Sequence, residues 1–307
     1  MACDILLLAA GFGTRLRPLT AQVPKALLPV CGVPLLDMHL ERLWRLGPET
    51  IGHVVVNGHH LADPIAEHLQ RWHPREGRAP DDWISFSFEP EIRGTGGAIP
   101  QAATWLRSDP FLVMNADAYF QAPIEEALAF HRAQRYAATM VLLPSPVWPN
   151  VRVAGGRVTE IVRAGPVPGG FTFSGLHVIS REMLDLLPPR GFHDIRDTYE
   201  PLIERKRLGA FVWSPQDLLF ADVGSPRSYL AAQQLCPSAG TQDEVVFIDP
   251  TATIESGARI SGSVVLQRAV VGAGLRVHRA IIGPDVVLRE SVAGQLVTTL
   301  GSRRIEP

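Results

Sequence analysis

Aliphatic residues recur about every six positions near the end of this chain, and few folds accept such a period. Ile248, Ile254, Ile260 and Leu266 are six apart, and Val271, Val277, Ile282 and Val287 continue at five or six, with glycines and short polar residues between. A helix buries a stripe of period 3.6 and a strand one of period two, so neither hides this one. A β-helix does, each hexad forming one side of a coil, and at three sides per coil the segment builds only about two or three coils. The competing arrangement is an irregular run of short antiparallel strands.

Upstream the pattern is different. Ile5–Ala10 is a continuous apolar run, as in a strand covered on both faces. Leu36, Leu40, Leu43 and Leu46 mark a helix face between Pro34 and Gly47. The segments "HVVV", "WISFSF", "FLVM" and "ATMVLL" read as strands, and "DPIAEHLQRW", with Asp63 as expected N-cap, and "APIEEALAFHRAQR" as helices. From Val151 the texture shifts to a hairpin turning at Gly155-Gly156, a strand "FTFSGLHVI", and a helix expected to open on a capping box of Asp197 and Glu200. Ser225 is the expected cap of a last helix that starts at Pro226. The fold class is therefore α/β: a Rossmann-like, mostly parallel mixed sheet with helices on both faces, followed by a short β-helix. The expected boundaries are a domain at 1–236, a linker at 237–244, the β-helix at 245–292 and a tail at 293–307.

Composition removes several classes of function. A formal net charge of -2 gives no reason to expect nucleic-acid binding. No apolar run approaches the ~18 residues that span a bilayer, and the start lacks a basic leader, so no membrane association and a cytoplasmic location are expected. Cys3, Cys31 and Cys236 form no C-x-x-C pair, so neither a disulfide framework nor a zinc site is expected. His59 and His60 have no ligand-like spacing to other residues and read as surface positions.

The loop "GFGTRLRPLTAQVPK" after the first strand carries the chemistry. It is no dinucleotide fingerprint, because Leu16 stands where the third glycine belongs, and no Walker loop, because the terminal Gly-Lys-Ser/Thr is absent. A long loop that wraps a polyphosphate remains, with Arg15 as a bidentate fork, Lys25 as a point charge, and Pro18, Pro24 and Pro29 stiffening it. Asp117 and Asp222 each follow an apolar strand, and such a carboxylate pair suits Mg²⁺, although an Asp there is also a common turn residue.

"LAAGFGTRLRPLT" followed by "VPKALLPVCGVPLL" resembles the signature of the sugar-1-phosphate nucleotidylyltransferases, or nucleotide-sugar pyrophosphorylases. "EPEIRGTGGAI", "LVMNADAYF" and "FADVGSPRSYLAA" resemble that family's base loop and two acidic motifs, so the likeness runs from about residue 5 to 235. It implies Mg²⁺-dependent transfer of a nucleotidyl group from an NTP to a sugar 1-phosphate with release of pyrophosphate, and a left-handed β-helix behind the catalytic domain. On this resemblance Arg15, Lys25 and Asp117 are catalytic, and Asp117 and Asp222 hold the metal. Ala10, Gly11, Gly13, Thr14, Thr95, Gly96 and Gly97 bind the nucleotide, though Thr95 also suits a helix cap. The family's Glu-Lys-Pro triplet is missing, which leaves Arg163, otherwise a surface strand arginine, with Ser174 and Gly175 to meet the sugar phosphate. Gly175 also suits a strand bulge. GTP with a mannose-1-phosphate-like acceptor is the first expectation, with UTP next. A uridylyltransferase acting on N-acetylmuramate 1-phosphate is the alternative, and a nucleotide-sugar sensor or a hexapeptide acyltransferase using His278 are remote ones. The β-helix is expected to join copies into a homo-oligomer and to stand apart from the chemistry, so that a chain ending near Gly240 keeps its activity.

Overall fold

The computed structural model describes residues 2–77, 79–121, 123–144, 149–214, 220–236 and 246–306, so the expected linker at 237–244 lies outside the described residues. The chain divides into two compact units that interleave along the sequence. The first is Met1–Gly11, His39–Ala116 and Phe120–Leu218, and the second is Phe12–Met38, Asp117–Tyr119 and Leu219–Pro307. Among the described residues no helix is long and apolar enough to cross a membrane.

A mixed sheet organises the first unit. Its strands are β1 (Cys3–Leu8), β2 (Ile51–Gly58), β3 (Ile84–Phe88), β4 (Phe111–Asn115), β5 (Ala138–Leu143), β6 (Val151–Ala154), β7 (Arg157–Ile161), β8 (Thr172–Ile179) and β9 (Leu208–Val212). They lie in the order β3-β2-β1-β4-β8-β5-β9-β7-β6. β3, β2, β1 and β4 run parallel; the inner strands β1 and β4 carry unbroken apolar runs, while β3 at the sheet edge alternates. β8 is antiparallel to both β4 and β5, and β5 pairs in parallel with β9. The hairpin β6–β7 turns where expected, with Gly155 and Gly156 at φ +56° and +72°. The helices are α1 (Leu35–Arg45), α2 (Ala62–Arg71), α3 (Gly94–Ala102), α4 (Ile124–Gln134) and α5 (Ile195–Glu204), with α6 (Pro226–Ala232) in the second unit.

Two expected caps move. α2 starts at Ala62 behind Leu61, so Asp63 lies in the first turn instead of capping it. α5 begins two residues before Asp197, because the Asp194 side chain accepts the Arg196 N–H and already serves as N-cap. That leaves the carboxylates of Asp197 and Glu200 to pair with Arg163. Ser225 caps α6 as expected, in a reciprocal box with Ser228.

The second unit contains the β-helix. Phe247 pairs with Val264 and Val264 with Ile281, seventeen residues per step, and two further faces are built alike. The interior is filled by Ile254, Ile260, Val265, Val271, Val277, Ile282, Leu288 and Val292. Ile248, Leu266 and Val287, counted in the aliphatic repeat, are not interior residues, Ile248 being 38% exposed. Val287 is 56% exposed, and Leu266 lies in a different core. For Leu266 the reason is that both sides of the Val264–Leu266 face are buried: Val264, Leu266, Ile281 and Leu296 pack in one cluster with Leu16, Leu19, Leu28, Val30 and Tyr229, whereas at Val287 the neighbouring Leu288 takes the interior place. The proline-rich loop and the β-helix thus share one apolar core, so the hexad segment supports the packing of the loop. Cys31 and Cys236 form a disulfide across 205 residues of sequence, contrary to the expectation from their spacing, because the fold brings together two cysteines that share no local motif.

Candidate active site

In the second unit the chain after β1 doubles back on itself. Gly13 sits at φ +58°, and a Cβ there would lie 2.8 Å from Thr20 Cγ2, so only glycine fits. Thr20 Oγ1 donates to the Gly13 carbonyl oxygen at 2.8 Å. Short 3₁₀ turns at Thr14–Leu16, Leu19–Ala21 and Lys25–Leu27 follow, burying Leu16 and Leu19 while Thr14 and Arg15 stay exposed. The buried Leu16 and Leu19 anchor the loop, and Thr14, Arg15 and Arg17 beside them are exposed.

Four expected residues meet here. Lys25 Nζ lies 2.8 Å from Asp117 Oδ2, with the lysine side chain only 10% exposed. Ala118–Phe120, just after Asp117, pairs with Phe220–Asp222, and the Asp117 carbonyl accepts the Val223 N–H. This pairing sets the two aspartates side by side. A Cβ on Gly224 would stand 2.5 Å from Arg15 Nη2 and 2.6 Å from Asp222 Oδ2, so the bare glycine gives both groups their room. Burial pushes the Asp222 carboxyl above its ordinary pKa; the Asp117 charge adds to that, while Lys25 and Arg15 oppose it. Gly224 went unnoticed in the sequence, where it reads only as part of a turn.

The first unit is different. Ala10 is buried, and Gly11 is open, with nothing within 4 Å of a hypothetical Cβ. Behind them a buried relay ties the strand ends together. The Ala9 N–H donates to Asn57 Oδ1 at 2.7 Å, Asn57 Nδ2 donates to Glu89 Oε1 at 2.7 Å, and Glu89 Oε2 accepts the Arg93 N–H at 3.0 Å. Asn57 and Glu89 close β2 and follow β3, a position that flags them only once the strands are known to be neighbours.

Thr95, Gly96 and Gly97 lie in the first turns of α3, and Thr95 is not its cap. The Gly96 N–H donates to the His193 carbonyl, and a Cβ on Gly96 or Gly97 would lie 2.5 Å from His193 Cδ2 or the Gly191 carbonyl oxygen. Their missing side chains make room for the 191–195 segment. Thr95 lines a cavity of about 410 Å³ together with Asn115, Phe173, His177, Arg196 and Tyr199, among others. Ser174 is buried, donating to the Val141 carbonyl and accepting the Leu176 N–H, and Gly175 takes φ +93° where the β8–β5 register slips. The two form a bulge, and the flanking Phe173 and His177 line the cavity in their place. The Tyr199 hydroxyl and His177 Nδ1 share a hydrogen bond at 2.7 Å, and burial pulls His177 down to about 3, leaving its ring neutral. Arg163 is held by Asp197 and Glu200 at 2.5 and 2.7 Å. The cation on the cavity wall is Arg196, which is bidentate to Asp194. His59 bonds the Glu89 carbonyl, and no group of three or more His, Cys, Asp or Glu suited to a metal occurs among the described residues.

The family model described as nucleotidyl transferase matches residues 5–238. The chain belongs to this family. That is the family its two spaced motifs resemble. Among its relatives, the mannose-1-phosphate guanyltransferase of Eremothecium gossypii is 32% identical over 75% of this chain, which spans 63% of that protein's length. The mannose-1-phosphate guanyltransferase of Candida albicans is 29% identical over 96% of this chain and 90% of its own. These relatives are sugar-1-phosphate nucleotidyltransferases, the enzyme class that the motifs imply. In fold the chain is similar to HddC from Yersinia pseudotuberculosis, crystallised with GMP-PN, at TM-score 0.62 and 23% identity over 76% of this chain and 99% of that one.

Proposed function

We propose that this protein transfers a guanylyl group from GTP to mannose 1-phosphate or a close relative, releasing pyrophosphate, with UTP as the next donor. The observation that carries the reading is the cluster of Arg15, Lys25, Asp117 and Asp222, with Lys25 paired to Asp117 and Arg15 and Asp222 beside Gly224. The base and sugar rest on the names of the relatives.

An oxygen of the sugar phosphate attacks the α-phosphorus, the bond from that phosphorus to the α–β bridging oxygen breaks, and pyrophosphate carries off the negative charge. The nucleophile is already an anion, so no general base is needed. The difficulty is bringing two anions together, which makes catalysis a matter of position and charge. Arg15 takes the departing β- and γ-phosphates, and Lys25 the α-phosphate or the incoming one; each contributes on the order of 4 kcal/mol at about 4 Å in a partly shielded site. Ala10, Gly11, Gly13 and Thr14 line the phosphate path.

Asp117 and Asp222 would hold Mg²⁺. The donor set fits, since both are hard oxygen ligands and phosphates and water complete the shell this ion prefers. When bound, the ion supplies charge neutralisation on the phosphates.

The cavity in the first unit takes the sugar, with Thr95 on its wall, and Gly96 and Gly97 shape the wall near the nucleotide. Arg163 acts on the sugar phosphate through its hold on α5, and Ser174 and Gly175 through the bulge that aims His177. Copies associate through the β-helix, where Val287 and Leu300 are exposed apolar residues. The deciding experiment measures pyrophosphate release from GTP, UTP, dTTP, CTP and ATP against several sugar 1-phosphates. Highest turnover with GTP and mannose 1-phosphate is expected, and silence across the panel would overturn the reading.

A further inference from the structure

Pro18 leaves a gap in the hydrogen bonding of the phosphate loop. In a 3₁₀ turn each carbonyl takes the N–H three residues on. Gly13 and Thr14 follow the rule, their carbonyls accepting from Leu16 at 2.9 Å and Arg17 at 3.2 Å. The next carbonyl belongs to Arg15, and its matching donor would be residue 18, a proline with no N–H.

The missing donor comes from the far end of the chain. Arg303 Nη1 reaches the Arg15 carbonyl oxygen at 3.0 Å. Arg303 belongs to a hairpin formed by β10 (Gln295–Thr298) and β11 (Gly301–Arg304), in which it pairs with Leu296. Leu296 is fully buried in the same core as Leu16 and Leu19. A second tie runs from Gln22 Nε2 to Thr299 Oγ1 in the turn of the same hairpin. The hairpin thus grips the loop at Arg15 and at Gln22, and the two elements share apolar packing between those points.

We propose that Arg303 is a positioning residue for phosphate binding. By holding the Arg15 carbonyl it fixes the peptide plane between Arg15 and Leu16, and with it the direction in which the Arg15 guanidinium leaves the backbone. The 295–304 hairpin, which extends a β-helix face through the pairing of Leu296 with Ile281, then takes part in the reaction without touching substrate. This rests on the reading of Arg15 as a phosphate ligand.

The full chain is compared with its Arg303→Ala and Arg303→Lys variants. Arg303→Ala is expected to raise KM for the NTP about three- to tenfold, the size of one lost hydrogen bond, with a smaller change in KM for the sugar phosphate. Arg303→Lys, which keeps a donor on a long stem, should recover most of that loss. Amide exchange in residues 12–22 should quicken in Arg303→Ala and return toward wild type in Arg303→Lys. Wild-type KM and exchange in Arg303→Ala would overturn the proposal, as would a lower melting temperature that leaves both unchanged. If the wild type releases no pyrophosphate with any substrate pair, the proposed function fails instead. Exchange at 12–22 and titration with GTP then still decide whether Arg303 orders the loop.

Discussion

Glycines at two sites have opposite jobs. Gly224, in the second unit, leaves space that the charged ends of Arg15 and Asp222 occupy. Gly96 and Gly97, in the first, leave space that the 191–195 segment occupies. Both sets sit in motifs that the sequence marks equally well. The contrast teaches that the atoms filling a motif glycine's empty side, charged side-chain ends at Gly224 and a packed segment at Gly97, separate these two jobs. Where backbone fills that side, as at Gly97, the glycine serves packing.

The charged side of this contrast should give the largest effects. Asp117→Asn and Asp222→Asn keep the shape of the site but remove a carboxylate charge, and each is expected to lower kcat/KM by about 10³-fold or more, because metal and phosphate chemistry depend on that charge. EDTA should silence the wild type as well. Near-normal turnover in either variant would dissolve the cluster as a functional unit.

Loss of the β-helix should come next. A chain ending near Gly240 lacks Val264, Leu266, Ile281 and Leu296, which are fully buried in the core of the phosphate loop. At about 1.5–3 kcal/mol per buried aliphatic side chain, the loop cannot keep its form, and pyrophosphate release should fall to background. A truncated chain with full activity would show the loop holding itself together.

The glycines can be set against each other directly. In Gly224→Ala the new methyl meets the tip of the flexible Arg15 side chain, so activity should fall about tenfold or more by displacing that charge, with little change in melting temperature. In Gly97→Ala it meets the Gly191 carbonyl, and stability should fall by about 1–3 kcal/mol. Equal losses of activity and stability in both variants would erase the distinction.

The smallest effect concerns pH. Burial pulls His177 down to about 3 and His131 down to about 4, so both stay neutral in the fold while their unfolded forms protonate near pH 6.5. The unfolded state therefore binds more protons below pH 6.5, and stability is lost as pH falls from there. The slope is at most about 1.4 kcal/mol per pH unit for each histidine. Melting temperatures of His177→Gln measured between pH 7 and 4.5 should fall less steeply than those of the wild type. An unchanged slope would remove His177 from the acid sensitivity.

Most of the architecture was legible because its signals are local. Apolar runs, caps such as Ser225 and turn glycines such as Gly155 report the structure of their own few residues. The β-helix period was legible for the same reason, except at Ile248 and Val287, which face outward, and at Val264–Leu266, where the outer side is covered by a segment more than 200 positions away. The charged cluster was legible residue by residue, since Arg15, Lys25, Asp117 and Asp222 each sit in a recognisable motif. Its dependence on Gly224 was not.

What only the tertiary structure decided is which neighbour fills each vacancy. Nothing along the chain says that Arg163 is claimed by Asp197 and Glu200, that Arg196 lines the cavity instead, or that Cys31 meets Cys236. Nor does it say that an arginine at 303 supplies the N–H that Pro18 lacks. These pairings join residues from 34 to 288 positions apart, and a local pattern carries no information at that range. Backbone propensity, turn chemistry and periodicity act over a few residues and can be read from one chain. Hydrogen bonding and close packing between distant segments depend on how those segments are brought together, and only the folded molecule specifies that.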